Sequence, residues 1–342
     1  MPASPPESPG GARRVWSAVK AWVDPLVVMI IAVLVLGLVL PAGGVAADVL
    51  GTVKTAAIVV LFFLYGARMA TREVWDGLRA WRLQGSMLAA TYVLFPLLGL
   101  AVQLLPDAVL ADELKTGLLF LAVLPSTIQS SVVFTSIARG NVAGAICGAT
   151  VSNVLGIVLT PLFVAVLLSR TGGPLGGSAA ATLLQLLVPF VAGQAVQPWI
   201  GRWIRAHRPV TLVSDRAAIL LVAYASVSEA QVSGAWDGIT WVSLVVLLAV
   251  CALLLAVMLA TTWGAGGRLG LNRPDRIALL MCGSKKSLAT GLPMASVLFS
   301  PVVAASVALP VIVFHQLQLA TCAVIARRLA SAEPDGVAVR TP

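Results

Sequence analysis

The sequence predicts an all-α polytopic membrane protein with ten transmembrane helices set out as two inverted five-helix repeats. Three observations predict it. Ten apolar runs approach the length of about 20 residues that a bilayer span needs. Basic residues are confined to alternate loops, and a polar break interrupts the fourth run of each half. The 342-residue chain is 59% hydrophobic and 11% charged, whereas a soluble domain carries about a quarter charged residues.

Residues 1–22 are rich in Pro and Ser and then basic (Arg13, Arg14, Lys20), which predicts a disordered cytoplasmic tail ahead of a retained first helix. Apolar runs follow at 25–43, 52–67, 84–105, 116–138, 142–168, 179–200, 213–230, 240–263, 275–299 and 302–326. The loops on one side hold Arg68, Arg72, Arg79 and Arg82, then Arg139, then Arg202, Arg205, Arg208 and Arg216. Arg268, Arg273, Arg276, Arg327, Arg328 and Arg340 complete that side. With the N-terminal three, it carries 18 of the 23 basic residues. The other side holds Asp48, Asp107, Asp112, Glu113, Glu229 and Asp237, with Arg170 as its one arginine. The positive-inside rule makes the basic side cytoplasmic and puts both termini there. The expected location is the cell membrane, multi-pass, which in a bacterium is the inner membrane. Trp22, Trp81, Trp199, Trp203, Trp241 and Trp263 fall near span ends, as an interfacial aromatic belt requires. The net charge of +9 is spread over short loops, so it argues for a lipid bilayer as partner and against nucleic acid.

Five helices is an odd number, so a duplicated unit inserts upside down the second time. The expected division is a first repeat over 23–170, a second over 171–328 and a cytoplasmic tail over 329–342. Run four contains LPSTIQSSVVFTSIARGN, where Pro125 stands beside Ser126, Thr127, Gln129, Ser130 and Ser131. Run nine contains CGSKKSLATGLP, with Gly283, Ser284, Lys285, Lys286, Ser287 and Thr290. Irregular backbone at membrane depth is tolerated only where protein or a water-filled cavity surrounds it. Paired breaks in the two halves therefore mark a candidate binding site. A lysine at the bilayer centre costs about 2.5–3.5 kcal/mol on the mildest scale. Two adjacent ones serve a site, or they cap the broken helix end.

The candidate substrate or ion-binding residues are Thr127, Gln129, Ser130, Ser131, Asn153, Ser284, Lys285, Lys286, Ser287 and Glu229. The hydroxyls either line the site or bond back to helix carbonyls. Asn153 is either a ligand or a helix–helix hydrogen bond. Glu229, ending run seven, is either a partner for substrate, cation or lysine, or an ordinary outer-loop acid. Neighbouring helical residues diverge by about 100°, so the two lysines are not expected to serve one site, and Lys286 is favoured for the crossover. His315, Gln316 and Gln318 read as a helix-packing hydrogen-bond group. The four cysteines (Cys147, Cys251, Cys282, Cys322) show no metal spacing and read as buried thiols. No nucleophile–base pair, metal motif or phosphate loop is visible, so neither an enzyme nor a cofactor is expected, and any active transport is secondary.

At these breaks the chain resembles the bile acid:sodium symporter family, solute carrier family 10. The segments ARGNV (138–142), TVSN (150–153) and LTP (159–161) look like helices four and five of that family. The resemblance is nearer to its symporter-like branch, which holds the seventh human member. The segments that carry it are SSVVFTS (130–136), SNVLG (152–156), YASVSEAQVSGAW (224–236), KSLATGLP (286–293) and FHQLQL (314–319). The resemblance implies a panel of helices 1, 2, 6 and 7, a core of helices 3–5 and 8–10, and discontinuous helices 4 and 9 crossing at mid-membrane. It implies secondary transport of a small or amphipathic organic anion by alternating access. Where the family holds sodium, however, this chain has Ser131 followed by Val132, Ala145, Ala149, Met281 and Lys285. A carboxylate has gone and a cation has arrived, so sodium dependence is not expected. A lysine there either replaces the ion or carries a proton. The same resemblance carries two alternatives, a non-transporting membrane regulator of calcium homeostasis and a proton-coupled antiporter.

Overall fold

The computed structural model describes residues 25–68, 80–168, 179–234 and 240–332. The expectations for the tails 1–22 and 333–342, and for Trp22, Arg72, Arg79, Arg170 and Asp237, lie outside these residues. Within them the regular structure is helical. The first half comprises α1 Pro25–Val39, α2 Val45–Arg68, α3 Trp81–Val102, α4 Asp112–Val123, α5 Gln129–Ile137 and α6 Val142–Phe163. The second comprises α7 Ala179–Ala206, α8 Arg208–Ser233, α9 Trp241–Arg268, α10 Arg273–Gly283, α11 Leu288–Leu298 and α12 Pro301–Ser331. The last helix thus runs three residues past the boundary expected at 328.

Six helices (α2, α3, α6, α8, α9 and α12) are long and apolar enough to cross a bilayer unaided. The sequence reading of ten spans differs for identifiable reasons. Runs four and nine are each split in two, as α4–α5 and α10–α11, and no half reaches span length. The α1 helix is described over 15 residues, and α7 is not among the six.

Local sequence explains the ends. Asn141, Thr240, Asn272 and Ser287 each accept a hydrogen bond from the backbone N–H three residues on, and so open α6, α9, α10 and α11. Gly234 ends α8 with φ 71°, a left-handed conformation that glycine adopts without a Cβ clash.

Much of the closest packing lies within two groups of helices, which α8 joins through its contacts with α11 and α12. In one, α2 lies on α7 and α8, and α1 lies on α8. In the other, α4 packs on α3 and α12, and α9 on α10 and α12. The α2–α7 contact is unusually close: a Cβ on Gly66 would lie 2.1 Å from the Phe190 carbonyl oxygen, and one on Gly193 2.0 Å from that of Phe63. Small residues allow such backbone approach where no hydrophobic effect drives helices together. The half-helices α4 and α10 are interior. Leu118 to Val123 on α4 and Ile277 to Cys282 on α10 are buried on every side. The long helix α9, by contrast, leaves Val245 and Leu253 about two-thirds exposed on its outer face, as a lipid-facing surface would be. Trp81, Trp199, Trp203 and Trp241 are exposed, and Trp81 and Trp241 stand at the first positions of α3 and α9.

Candidate functional site

Breaking a helix orphans carbonyls that must find other donors, so the site is best built by following each one. Run four leaves the helix after Val123, with Leu124 extended, and stays out of regular structure over Pro125–Thr127 before α5 begins. Pro125 has no N–H to offer, and the Ser126 N–H is drawn to the Ser152 hydroxyl at 3.0 Å on α6. The carbonyls of Ala122 to Ser126 are all taken. Those of Ala122 and Leu124 each accept from the Lys286 ammonium at 2.7 Å, and that of Val123 from the Thr160 hydroxyl at 2.8 Å. That of Pro125 accepts from the Ser287 N–H at 2.9 Å, and that of Ser126 from the Asn153 amide at 2.6 Å.

Run nine mirrors this arrangement. After Gly283 and a turn at Ser284 the chain leaves the helix over Lys285–Ser287, with Ser287 extended as α11 begins. The Leu280 carbonyl accepts from the Ser284 hydroxyl at 2.6 Å within its own helix. The Met281 and Cys282 carbonyls accept from the hydroxyls of Ser131 (3.0 Å) and Ser126 (2.6 Å), which belong to the other break. Gln318 on α12 grips the Lys286 backbone at both ends: its Oε1 accepts from the Lys286 N–H at 2.8 Å and its Nε2 donates to the Lys286 carbonyl at 2.9 Å. The same Nε2 lies 2.8 Å from Nδ1 of His315.

Both lysines are buried, and their ammonium groups point apart to different backbone carbonyls. Lys286 reaches the carbonyls of Ala122 and Leu124 and also that of Thr91 at 2.9 Å, so all three of its donors are used. Its Nζ also sits 4.2 Å from the centre of the Phe95 ring. Thr91 lies in a π-helical turn, Ala90–Leu94, where the Phe95 N–H bonds to Ala90. Pro96 supplies no N–H, so the Thr91 carbonyl has no helical donor. Lys285 is poorer in partners. Its Nζ donates to the Ser130 carbonyl at 3.0 Å and lies 4.1 Å from the centre of the Phe134 ring. Neither lysine makes an ion pair among the described residues.

The remaining candidates divide. Ser131, Asn153, Ser287 and the two lysines are tied into the contact between the breaks. Thr127 is buried beside Ser130, their hydroxyls 3.4 Å apart, while Gln129 is exposed at the start of α5. Ser284 turns back on its own helix. Glu229 stands elsewhere, bound by both carboxylate oxygens to Lys54 of α2 at 2.8 and 3.0 Å. Ala145 and Ala149 are fully buried in an apolar cluster with Leu83, Met87 and Cys282.

Several residues were not singled out from sequence: Ser152, Thr160 and the Thr91 carbonyl at the breaks and Lys54 away from them, with Gln318 read only as packing. Pro96 inside run three was the available signal for the free carbonyl of Thr91. A lysine at the start of run two and a glutamate at the end of run seven were the signal for the Lys54–Glu229 pair.

The sequence profile of the SBF-like CPA transporter family matches residues 24–331. An uncharacterized protein of Pseudomonas aeruginosa is 44% identical over 318 residues, covering 92% of this chain and 95% of the relative. The candidate symporter YfeH of Escherichia coli is 41% identical over 308 residues, covering 89% and 92% respectively. Sodium/bile acid cotransporter 7 of Rattus norvegicus is 26% identical over 272 residues, covering 78% and 80%.

Proposed function

The chain belongs to the SBF-like CPA transporter family, and from that premise we propose that it is a secondary transporter of a small or amphipathic organic anion. The names of its relatives, a candidate symporter and a sodium/bile acid cotransporter, support that class of cargo. The observation that carries the reading is the direct contact of two buried helix breaks, each contributing donors to the other, with two lysines and no paired carboxylate between them.

In this reading the chain crosses the membrane ten times, as two inverted repeats over 23–170 and 171–328. What supports it is a shift of about 160 residues that brings Trp81 to Trp241, Asp112 to Arg273, Gln129 to Leu288 and Val142 to Pro301, the starts of four successive helices. Broken helices 4 (α4–α5) and 9 (α10–α11) then cross at the substrate site. The α1, α2, α7 and α8 helices form a panel, and the others a core that moves against it. Both termini are cytoplasmic. Lys285, with donors left over beside Ser130 and Thr127, takes the anionic group. Sodium is not required, since Ala145, Ala149 and Cys282 fill with apolar atoms the place where the resemblance puts its ligands. Among the described residues no group of His, Cys, Asp and Glu is placed to hold a metal.

The test is reconstitution. Purified protein in liposomes should take up at least one anion from a panel of bile salts, sulfate esters and short carboxylates, with equal rates in sodium and choline buffers. Absence of flux for every anion under imposed pH, sodium and anion gradients would overturn the transport reading. A strict sodium requirement would overturn the cation-free part alone.

A further inference from the structure

The three carbonyls around the Lys286 ammonium are each free for a separate reason that does not involve the lysine. The Thr91 oxygen lost its helical donor to the π turn and to Pro96. The Ala122 oxygen lost its donor because Pro125 has no N–H and the Ser126 N–H goes to Ser152. The Leu124 oxygen stands where α4 has already ended, with its residue extended. These three oxygens converge on one point at 2.7–2.9 Å, with the Phe95 ring closing a further side at 4.2 Å. Buried carbonyl dipoles ringed about a point, with an aromatic face beside them, are what a desolvated monovalent cation needs.

We propose that this cage is a monovalent-cation site filled permanently from within by Lys286, and that without the lysine it takes up free ammonium or potassium. The inference deepens the reading above and rests on it only in placing the cage beside the substrate crossover. Sodium fits less well, because the oxygen spacing suits an ammonium-sized ion and a smaller one would have to draw three backbone segments inward. An ammonium on a four-carbon stem cannot leave with the cargo. The cation that would otherwise join the transport cycle is thereby fixed to helix 9, and its charge stays in the protein through every turnover.

Thermal unfolding of purified Lys286→Ala in ammonium, potassium, sodium and choline chloride tests this without any transport measurement. Ammonium and potassium should raise the melting temperature of the variant in a saturable way relative to choline, by a few degrees, with sodium weaker. The wild type should respond alike to all four salts. Lys286→Met, whose side chain fills the cavity without a charge, should show no ammonium or potassium effect. Identical melting of Lys286→Ala in all four salts overturns the proposal, and so does a wild-type response as large as the variant's. Should Lys286→Ala not survive extraction, ¹⁵N-lysine spectra of the wild type decide. The chain has only five lysines, Lys20, Lys54, Lys115, Lys285 and Lys286. With the Lys285 signal removed in Lys285→Arg, one ammonium should remain protected from hydrogen exchange well beyond the ion-paired Lys54 and Lys115. Rapid exchange at every lysine overturns the cage. Because none of these readouts needs cargo, a failed cage and a failed transporter reading give different results.

Discussion

At the scale of single residues, the contact between the breaks depends on donors placed opposite carbonyls that lost their helical partners. Gln318 is the most exacting case, since one amide replaces both an N–H acceptor and a carbonyl donor for Lys286. Gln318→Leu leaves both backbone groups buried and unsatisfied, at about 1–3 kcal/mol each. It should lower the melting temperature of the purified protein well below that of His315→Leu, in which the Gln318–Lys286 bonds survive. Equal melting of the two variants would show that the amide is not what holds the second break. The types of residue needed here were legible in the sequence, because hydroxyls, amides and lysines inside apolar runs stand out. Their partners were not. Most acceptors are backbone carbonyls, which every residue carries, so nothing in the letters says that Lys286 meets Thr91, Ala122 and Leu124. The adjacent lysines do diverge, but from a segment between two helices and not as neighbours on one.

At the scale of elements, the α2–α7 contact makes a sharp demand on two glycines. A Cβ at Gly66 or Gly193 would strike backbone oxygen at 2.1 or 2.0 Å, which no side-chain adjustment relieves. Gly66→Ala and Gly193→Ala should each force the two helices apart and cost stability, whereas Gly51→Ala and Gly85→Ala, with nothing within 4 Å, should be neutral or slightly stabilising. Melting curves of the four variants check this, and a neutral Gly193→Ala would contradict the contact. The start of α4 carries a different test. Lys115 pairs with Asp107 and with Asp112, the latter at 2.7 Å, and the hydrogen bond from Lys115 holds the Asp107 carboxyl below its ordinary range. A depressed carboxylate contributes stability above its unfolded-state pKa and loses it as pH falls through the lowered folded value. Asp107→Asn should therefore cost a little stability at neutral pH and above, with its difference from wild type vanishing as pH falls through the lowered carboxylate value in pH-dependent melting curves. Both helix breaks were legible from Pro125 and Gly283 with their polar neighbours. The π turn in α3 was not, because its signature is one proline in a run that is otherwise uniformly apolar.

At the scale of the whole molecule, two ion pairs fasten α2 to α8 at opposite ends. Lys54 meets Glu229 at 2.8 Å and Arg68 meets Asp215 at 2.6 Å. They lie about four helical turns apart on both helices, as antiparallel neighbours in constant register must. Glu229→Gln leaves Lys54 buried without its counter-charge, and a loss of up to about 3 kcal/mol is expected after allowing for partial exposure. The exchange Lys54→Glu with Glu229→Lys should recover much of it. A double-mutant cycle without coupling would refute the pairing. Such a brace suits a panel that stays rigid while a core moves, as the proposed transport cycle requires.

The sequence by itself determined that the chain is helical, membrane-embedded and interrupted at two matching places, because hydropathy, loop charge and proline are local properties that need no partner. Only the tertiary structure decided which interruptions touch, that Glu229 belongs to Lys54, and that Lys286 is saturated while Lys285 keeps donors to spare. Those outcomes depend on carbonyls and side chains far apart in the chain, and distance in space is what a one-dimensional pattern does not carry.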